Sequence, residues 1–129
     1  MIDYQKWRKT LQDVQARVNA DCSYITDQEQ YRRADFWNVM GEKKIGDCED
    51  YALEKRFRLI HLGLDWRDLR LALCWTETGG YHAALVAVTD AGDMVLDNRY
   101  WSVTRWSACP YTWHLMQDET GAWRKLVKK

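Results

Sequence analysis

An α+β fold is predicted for this chain, with helices in the N-terminal half packed on an antiparallel β-sheet built from the C-terminal half. Three observations point to it. Before Gly63 apolar residues recur every three or four positions, and after it they alternate or run together in short stretches bounded by turn residues. The chain has one proline, so little interrupts either pattern. Its 129 residues, 47% hydrophobic and 29% charged, can bury one core and belong with ordinary globular proteins. No linker, repeat or low-complexity run divides them, so a single domain over residues 1–129 is expected.

From Tyr4 to Asn19, the residues Trp7, Leu11, Val14 and Val18 form the stripe of an amphipathic helix. Residues 27–40, DQEQYRRADFWNVM, keep no single period and read as a loop with helical turns. A second helix is predicted to start at Asp47, whose side chain can cap it with Asp50 in an approximate capping box, and to stop at Gly63. Leu53, Phe57 and Ile60 supply its buried face, while Glu54, Lys55, Arg56 and Arg58 mostly face water. Then LRLALCW (69–75), YHAALVAVT (81–89) and MVLDNRYW (94–101), separated by TETGG and DAGD, read as adjacent antiparallel strands. The middle one is apolar on both faces, as suits a central strand covered on each side. A further hairpin, YTWHLMQ and AWRKLV around DETG, closes the sheet.

Composition removes several functions. Nineteen basic and nineteen acidic residues cancel, so no long-range field draws the chain to nucleic acid or an anionic membrane. The basic end WRKLVKK reads as a solvated tail. The start MIDYQKWRKTLQDVQ lacks a secretion-signal pattern, and no apolar stretch approaches the roughly 18 residues of a membrane span, so a cytoplasmic protein is expected. Cys22, Cys48, Cys74 and Cys109 should then be reduced, and no CxxC pair with a histidine cluster suggests structural zinc. Eight tryptophans and seven tyrosines read first as aromatic core packing; the other reading is an aromatic-lined cleft for an extended partner.

The chemistry centres on Cys48 in IGDCEDYA. A thiol in the first turn of a helix meets unpaired amides and the positive end of the backbone dipoles, which can lower its pKa from about 8.5 to roughly 3.5–7.5. The neighbouring acids oppose this. Consecutive helical side chains point about 100° apart, so Asp47, Glu49 and Asp50 can face away from the side that Cys48 shares with Ala52. There they cap the helix and offer the oxygens that a hard cation such as calcium prefers.

A cysteine nucleophile also needs a base, and the base an orienting group. His61 sits about 20 Å along Cys48's own helix, too far to reach it. His82, at the start of the central strand, is the stronger candidate and His114 the weaker. With a two-residue hairpin tip at Asp90 and Ala91, His82 falls opposite Arg99 and Asp97 lies on the diagonal, roughly 7 Å away between Cβ atoms. A tip at Ala91 and Gly92 moves Asp97 one pair further off. Taken singly, Cys48 could be a small core residue, His82 a hydrogen-bonded strand residue and Asp97 a turn residue. Together, in order on helix, strand and strand, they suggest nucleophile, base and orienter. Cys22, Cys74 and Cys109 read as structural.

GDCEDYALEKRFRLIHLGL, LRLALCW, YHAALVAV and MVLDN, in that order and spacing, resemble the bacterial transglutaminase-like cysteine peptidases, from about Val14 to Trp123. The resemblance implies a papain-like transglutaminase core with Cys48 as nucleophile, His82 as general base and Asp97 as its orienter. It also implies a calcium site on Asp47 and Glu49, with Asp50 as an addition, and no other cofactor. Two features depart from the family. Its WATP stretch is WNVM here, after Phe36, which bears on cleft shape and oxyanion contacts near Trp37; and the missing secretion signal makes a periplasmic adhesin a poor guess for the substrate and leaves a phage or prophage setting open.

The expected function is thiol acyl transfer on a protein or peptide by a monomer, the Cys48 amide at the helix start helping to hold the oxyanion and water releasing the acyl group. An amine in place of water would make the same site a transglutaminase, and glutamine as substrate a deamidase. The alternative in another class is a catalytically idle peptide-binding module.

Overall fold

The structure, a computed structural model, describes residues 1–23 and 43–126, apart from the side chains of 21–23 and 43–47. The reading of 27–40 as a loop, the WNVM stretch with Trp37, and the side chains of Cys22 and Asp47 lie outside the described residues.

Helix α1 spans Tyr4–Ser23. Asp3 begins it, its carboxylate accepting the Lys6 amide at 3.2 Å, and Asp90 accepts the Tyr4 amide at 2.9 Å. Leu11, Val14 and Val18 are buried and Trp7 packs beside them, the stripe expected from the sequence. Helix α2 spans Lys43–His61 and ends at Gly63, whose φ of +118° suits a residue without Cβ. The helix therefore starts four residues before Asp47. Asp47 is not its cap, the capping box with Asp50 does not form the helix start, and Cys48 lies in the second turn rather than the first.

The sheet has six strands: β1 Leu69–Trp75, β2 Tyr81–Thr89, β3 Gly92–Leu96, β4 Thr104–Arg105, β5 Thr112–Gln117 and β6 Trp123–Lys125. Their spatial order is β4-β3-β2-β1-β5-β6, and every pairing is antiparallel. Two predicted strands keep their bounds. The third stops at Leu96 rather than running to Trp101, because the chain turns at Asp97. Strand β4, only two residues long, has no alternation that a sequence could reveal. Thr89 pairs with Gly92 and Leu85 with Leu96, so Asp90 and Ala91 form the hairpin tip. Gly92, at φ +110°, closes it.

Strand β2 is third of the six and buried from His82 to Ala87. On one face, Leu69, Leu71, Leu85, Ala87, Met94 and Leu96 meet Leu11, Val14 and Val18 of α1 and Ala52 and Leu59 of α2. On the other, Cys74, Ala84 and Val95 are covered by Cys109 and Tyr111, with Tyr100, Trp106 and Trp113 packed around them. The rings of Trp106 and Trp113 stack at 3.8 Å, so part of the aromatic content does build a core. Trp66, Trp75, Trp101 and Trp123 remain exposed.

The buried face of α2 differs from the expected one. Ala52, Lys55 and Leu59 are buried, Lys55 fully, whereas Leu53, Phe57 and Ile60 are 42%, 60% and 40% exposed. Residues 48, 52, 55 and 59 recur at four- and three-residue steps and share a helical face. Turning that face to the sheet turns the more apolar one outward. Among the described residues no helix is long and apolar enough to cross a membrane.

Leu59→Ala is therefore expected to cost about 2–5 kcal/mol in urea unfolding, and Leu53→Ala less than about 1 kcal/mol. The reverse ranking would mean that the helix packs by its Leu53 face.

Candidate active site

Three elements meet at one point. The second turn of α2 carries the half-buried Cys48, the second residue of β2 is His82, and the chain leaving β3 carries Asp97. His82 is 3% exposed and Asp97 1%. The Nδ1 atom of His82 lies 2.9 Å from Cys48 Sγ, and its Nε2 lies 2.7 Å from Asp97 Oδ1. The hairpin register is the one that places Asp97 on the diagonal from His82, and the turn after Leu96 swings its carboxylate onto the imidazole.

Asp97 is fastened at both ends. Its Oδ1 also accepts the Arg99 amide at 3.0 Å, and its Oδ2 accepts the hydroxyl of Tyr111. Its backbone carbonyl accepts Nε2 of Gln15 at 2.7 Å and Nδ2 of Asn19 at 3.2 Å. The same two amides reach the Tyr100 carbonyl, at 2.7 and 2.9 Å. Two α1 side chains one turn apart thus hold the turn that presents the carboxylate. The Arg99 guanidinium pairs with Glu77 at 2.7 and 3.2 Å and lies 5.4 Å from the centre of the Tyr111 ring. Beside this turn is a cavity of about 250 Å³ lined by Asn19, Tyr51, Asn98, Arg99, Tyr100 and Trp101.

The electrostatics follow from this packing. Burial works to lower the proton affinity of His82, but the hydrogen bonds to Asp97 and Cys48 and their charges outweigh it, leaving its pKa raised to about 9. Burial works to raise that of Asp97, but the His82 hydrogen bond and charge, then the Tyr111 hydroxyl and the Arg99 amide, hold it below the usual carboxylate range. An ionised carboxylate only accepts hydrogen bonds. The neutral imidazole therefore keeps its hydrogen on Nε2 and turns the Nδ1 lone pair toward the thiol.

The other candidates fall elsewhere. Cys74 pairs with His82 across β1 and β2, but it is fully buried, and burial with the nearby Asp97 charge pushes its thiol up to about 12. Burial, then Asp97, pushes Cys109 up to about 11. Both are free thiols, as is Cys48. His61 sits at the far end of α2 against Phe57, with ring centres 5.1 Å apart. His114 takes part in a hydrogen bond between its Nδ1 and the Tyr81 hydroxyl at 2.7 Å, with Trp75 against its ring.

Of the predicted metal ligands, Glu49 is exposed and Asp50 half-buried. Among the described residues no group of three or more histidine, cysteine, aspartate or glutamate side chains is placed to hold a metal ion. The expected oxyanion donor also needs correction. In a helix starting at Lys43, the amide of Cys48 lies past the four unpaired ones and is taken up by the helix itself.

Sequence reasoning missed Tyr111, Gln15 and Asn19. Tyr111 follows Pro110 and opens the predicted strand YTWHLMQ, where nothing in the sequence marks it as a partner of Asp97. Gln15 and Asn19 border the apolar stripe of α1, and polar residues so close to a buried stripe were the available sign that something in the core needed hydrogen bonds.

Because folding raises the proton affinity of His82, the stability it contributes is complete below its ordinary pKa of about 6.5 and is lost as pH rises through about 9. The melting temperature should fall across that window, and His82→Gln should flatten the fall. An equal decline in both proteins would mean that other groups cause it.

Residues 2–129 match the sequence profile of a family described as bacterial transglutaminase-like cysteine proteinase BTLCP. No curated protein matches the chain. Among solved structures it is similar to Legionella pneumophila LapG, with 23% identity over 55% of this chain and 41% of that one and a TM-score of 0.50. The EGTA-treated form of LapG gives 22% identity over 64% and 45% with a TM-score of 0.54, and the calcium-bound form 21% over 55% and 41% with 0.50. The chain thus spans less than half the length of these structures, and at such identity they speak for the fold: helices on an antiparallel sheet, as in LapG. With the profile matched over nearly its whole length, the chain belongs to the bacterial transglutaminase-like cysteine proteinase family.

Proposed function

We propose that this chain is a cysteine peptidase acting on a protein or peptide by thiol acyl transfer, with Cys48 as nucleophile, His82 as general base and Asp97 as the group that orients it. The observation that carries this reading is the continuous line from thiol to carboxylate: 2.9 Å from Sγ to Nδ1 and 2.7 Å from Nε2 to Oδ1. Membership of a cysteine proteinase family supports it. The thiol proton passes to His82 Nδ1 before attack, in keeping with the raised proton affinity of the imidazole, and the thiolate sulfur attacks the carbonyl carbon of a peptide bond. The imidazolium, stabilised by Asp97, gives that proton to the departing amine, leaving a thioester. His82 then draws a proton from water, which attacks the thioester and frees Cys48. Burial of His82 and Asp97 keeps bulk water from competing for the hydrogen bond between them.

Calcium belongs to the proposal through LapG, for which a calcium-bound form is known. In this chain Asp47, Glu49 and Asp50 would supply the oxygens. Glu49 and Asp50, consecutive on one helix and so about 100° apart around it, do not by themselves make the six to eight ligands that calcium takes. The described residues are thus an incomplete set, and no step of the reaction is routed through the ion.

Two measurements test these assignments. Iodoacetamide at pH 6 should alkylate Cys48 ahead of the buried Cys74 and Cys109, and His82→Ala should abolish that preference. Peptide hydrolysis should fall by at least about a hundredfold in the same variant. Uniform slow labelling of all thiols, with no hydrolysis, would favour a peptide-binding module. Millimolar calcium should raise the melting temperature, and Asp47→Ala should remove the rise; no shift in the unmodified chain would retire the metal site.

A further inference from the structure

Asp97 has more hydrogen-bond donors than orienting a histidine requires. Oδ1 serves the imidazole and the Arg99 amide, while Oδ2 is given to the hydroxyl of Tyr111. Tyr111 is 9% exposed, and its ring meets that of His82 edge-on, with centres 5.6 Å apart and planes at 67°. One side chain therefore touches both members of the dyad. It donates to the carboxylate and walls in the imidazole.

We infer that Tyr111 is a positioning residue of the proposed reaction: by sharing the charge of Asp97 it limits how tightly His82 holds its proton, and its ring fixes the imidazole in line with Cys48. The inference rests on the enzymatic reading above. A carboxylate relieved of Tyr111 would concentrate its charge on the Nε2 hydrogen, and the imidazolium would release its proton to the leaving amine less readily. Burial, then the neighbouring Asp97, raise the pKa of the Tyr111 hydroxyl, so it stays protonated and able to donate.

Among the described residues, the other charged or titratable groups packed around His82 include Cys48 from α2, Cys74 from β1, and Arg99 with its partner Glu77. Among the described residues Tyr111 is the side-chain donor to Oδ2, and the Arg99 guanidinium interacts with the Tyr111 hydroxyl rather than with that oxygen.

The test is an NMR titration of His82 in the resting protein, made with the unmodified chain, with Tyr111→Phe, and with 3-fluorotyrosine at position 111, whose more acidic hydroxyl donates more strongly. Tyr111→Phe should raise the His82 midpoint by about half a unit or more and move its Nε2 proton resonance downfield. Fluorination should shift both the other way. In peptide hydrolysis, kcat for Tyr111→Phe should fall about tenfold with KM little changed.

An unchanged midpoint and resonance in a folded Tyr111→Phe protein would overturn the inference. If that variant does not fold, an unshifted midpoint in the fluorinated protein, which keeps the ring, would overturn it equally. The readout is independent of turnover, so it separates the role of Tyr111 from the proposed activity, which stands or falls on hydrolysis.

Discussion

A carboxylate that is 1% exposed governs much of this architecture. Removing such a group from water costs several kcal/mol unless hydrogen bonds and an opposite charge compensate. The compensation for Asp97 comes from several parts of the chain: the imidazole of β2, the amide of Arg99 two residues on, and the hydroxyl of Tyr111 just before β5. Its backbone carbonyl is met by Gln15 and Asn19 of α1. The end of β3, the start of β2 and the first helix are thereby fixed relative to one another by a polar centre inside an apolar fold.

A second constraint acts on α2. Only one face of the helix can meet the sheet, and that face carries Cys48, Ala52, Lys55 and Leu59. Hydrophobicity alone favours the face of Leu53, Phe57 and Ile60, which is exposed instead. The contact between Cys48 and His82 thus coexists with a buried lysine, whose ammonium lies 6.0 Å from the centre of the Tyr51 ring, and with an apolar outer surface. Phe57 and Leu62 of that surface border a cavity of about 470 Å³ against Thr10, Val14 and Arg17. Where the more apolar stripe faces outward, burial was not the only term that set the rotation of the helix.

The parts legible in the sequence were those with strong local signals. The α1 stripe and the bounds of β1 and β2 follow from periodicity and turn chemistry, whereas the turn residues allowed a tip at Asp90–Ala91 or at Ala91–Gly92 and the fold selected the first. The cysteine, histidine and aspartate were legible because the hairpin register constrains which side chains share a face, and because their order and spacing resemble a family. The start of α2 was not. Asp47 is a good cap by residue type, but capping preference of about 1 kcal/mol is easily outweighed when neighbouring residues join the helix. The outer donors to Asp97 left no periodic signal, since Gln15 and Asn19 lie 82 and 78 positions from it and hydrogen bonds across such separations have no period.

The sequence by itself determined the α+β order of elements, the antiparallel direction of the predicted strands, and which residue types were available for acyl transfer, since all of these rest on contacts between near neighbours or on side-chain identity. Tertiary structure alone decided which face of α2 is buried and where β3 turns away. It also selected Tyr111, Gln15 and Asn19 as the groups that surround Asp97. These outcomes depend on satisfying one buried charge with donors from several elements at once, a condition that exists only when the chain has closed around it.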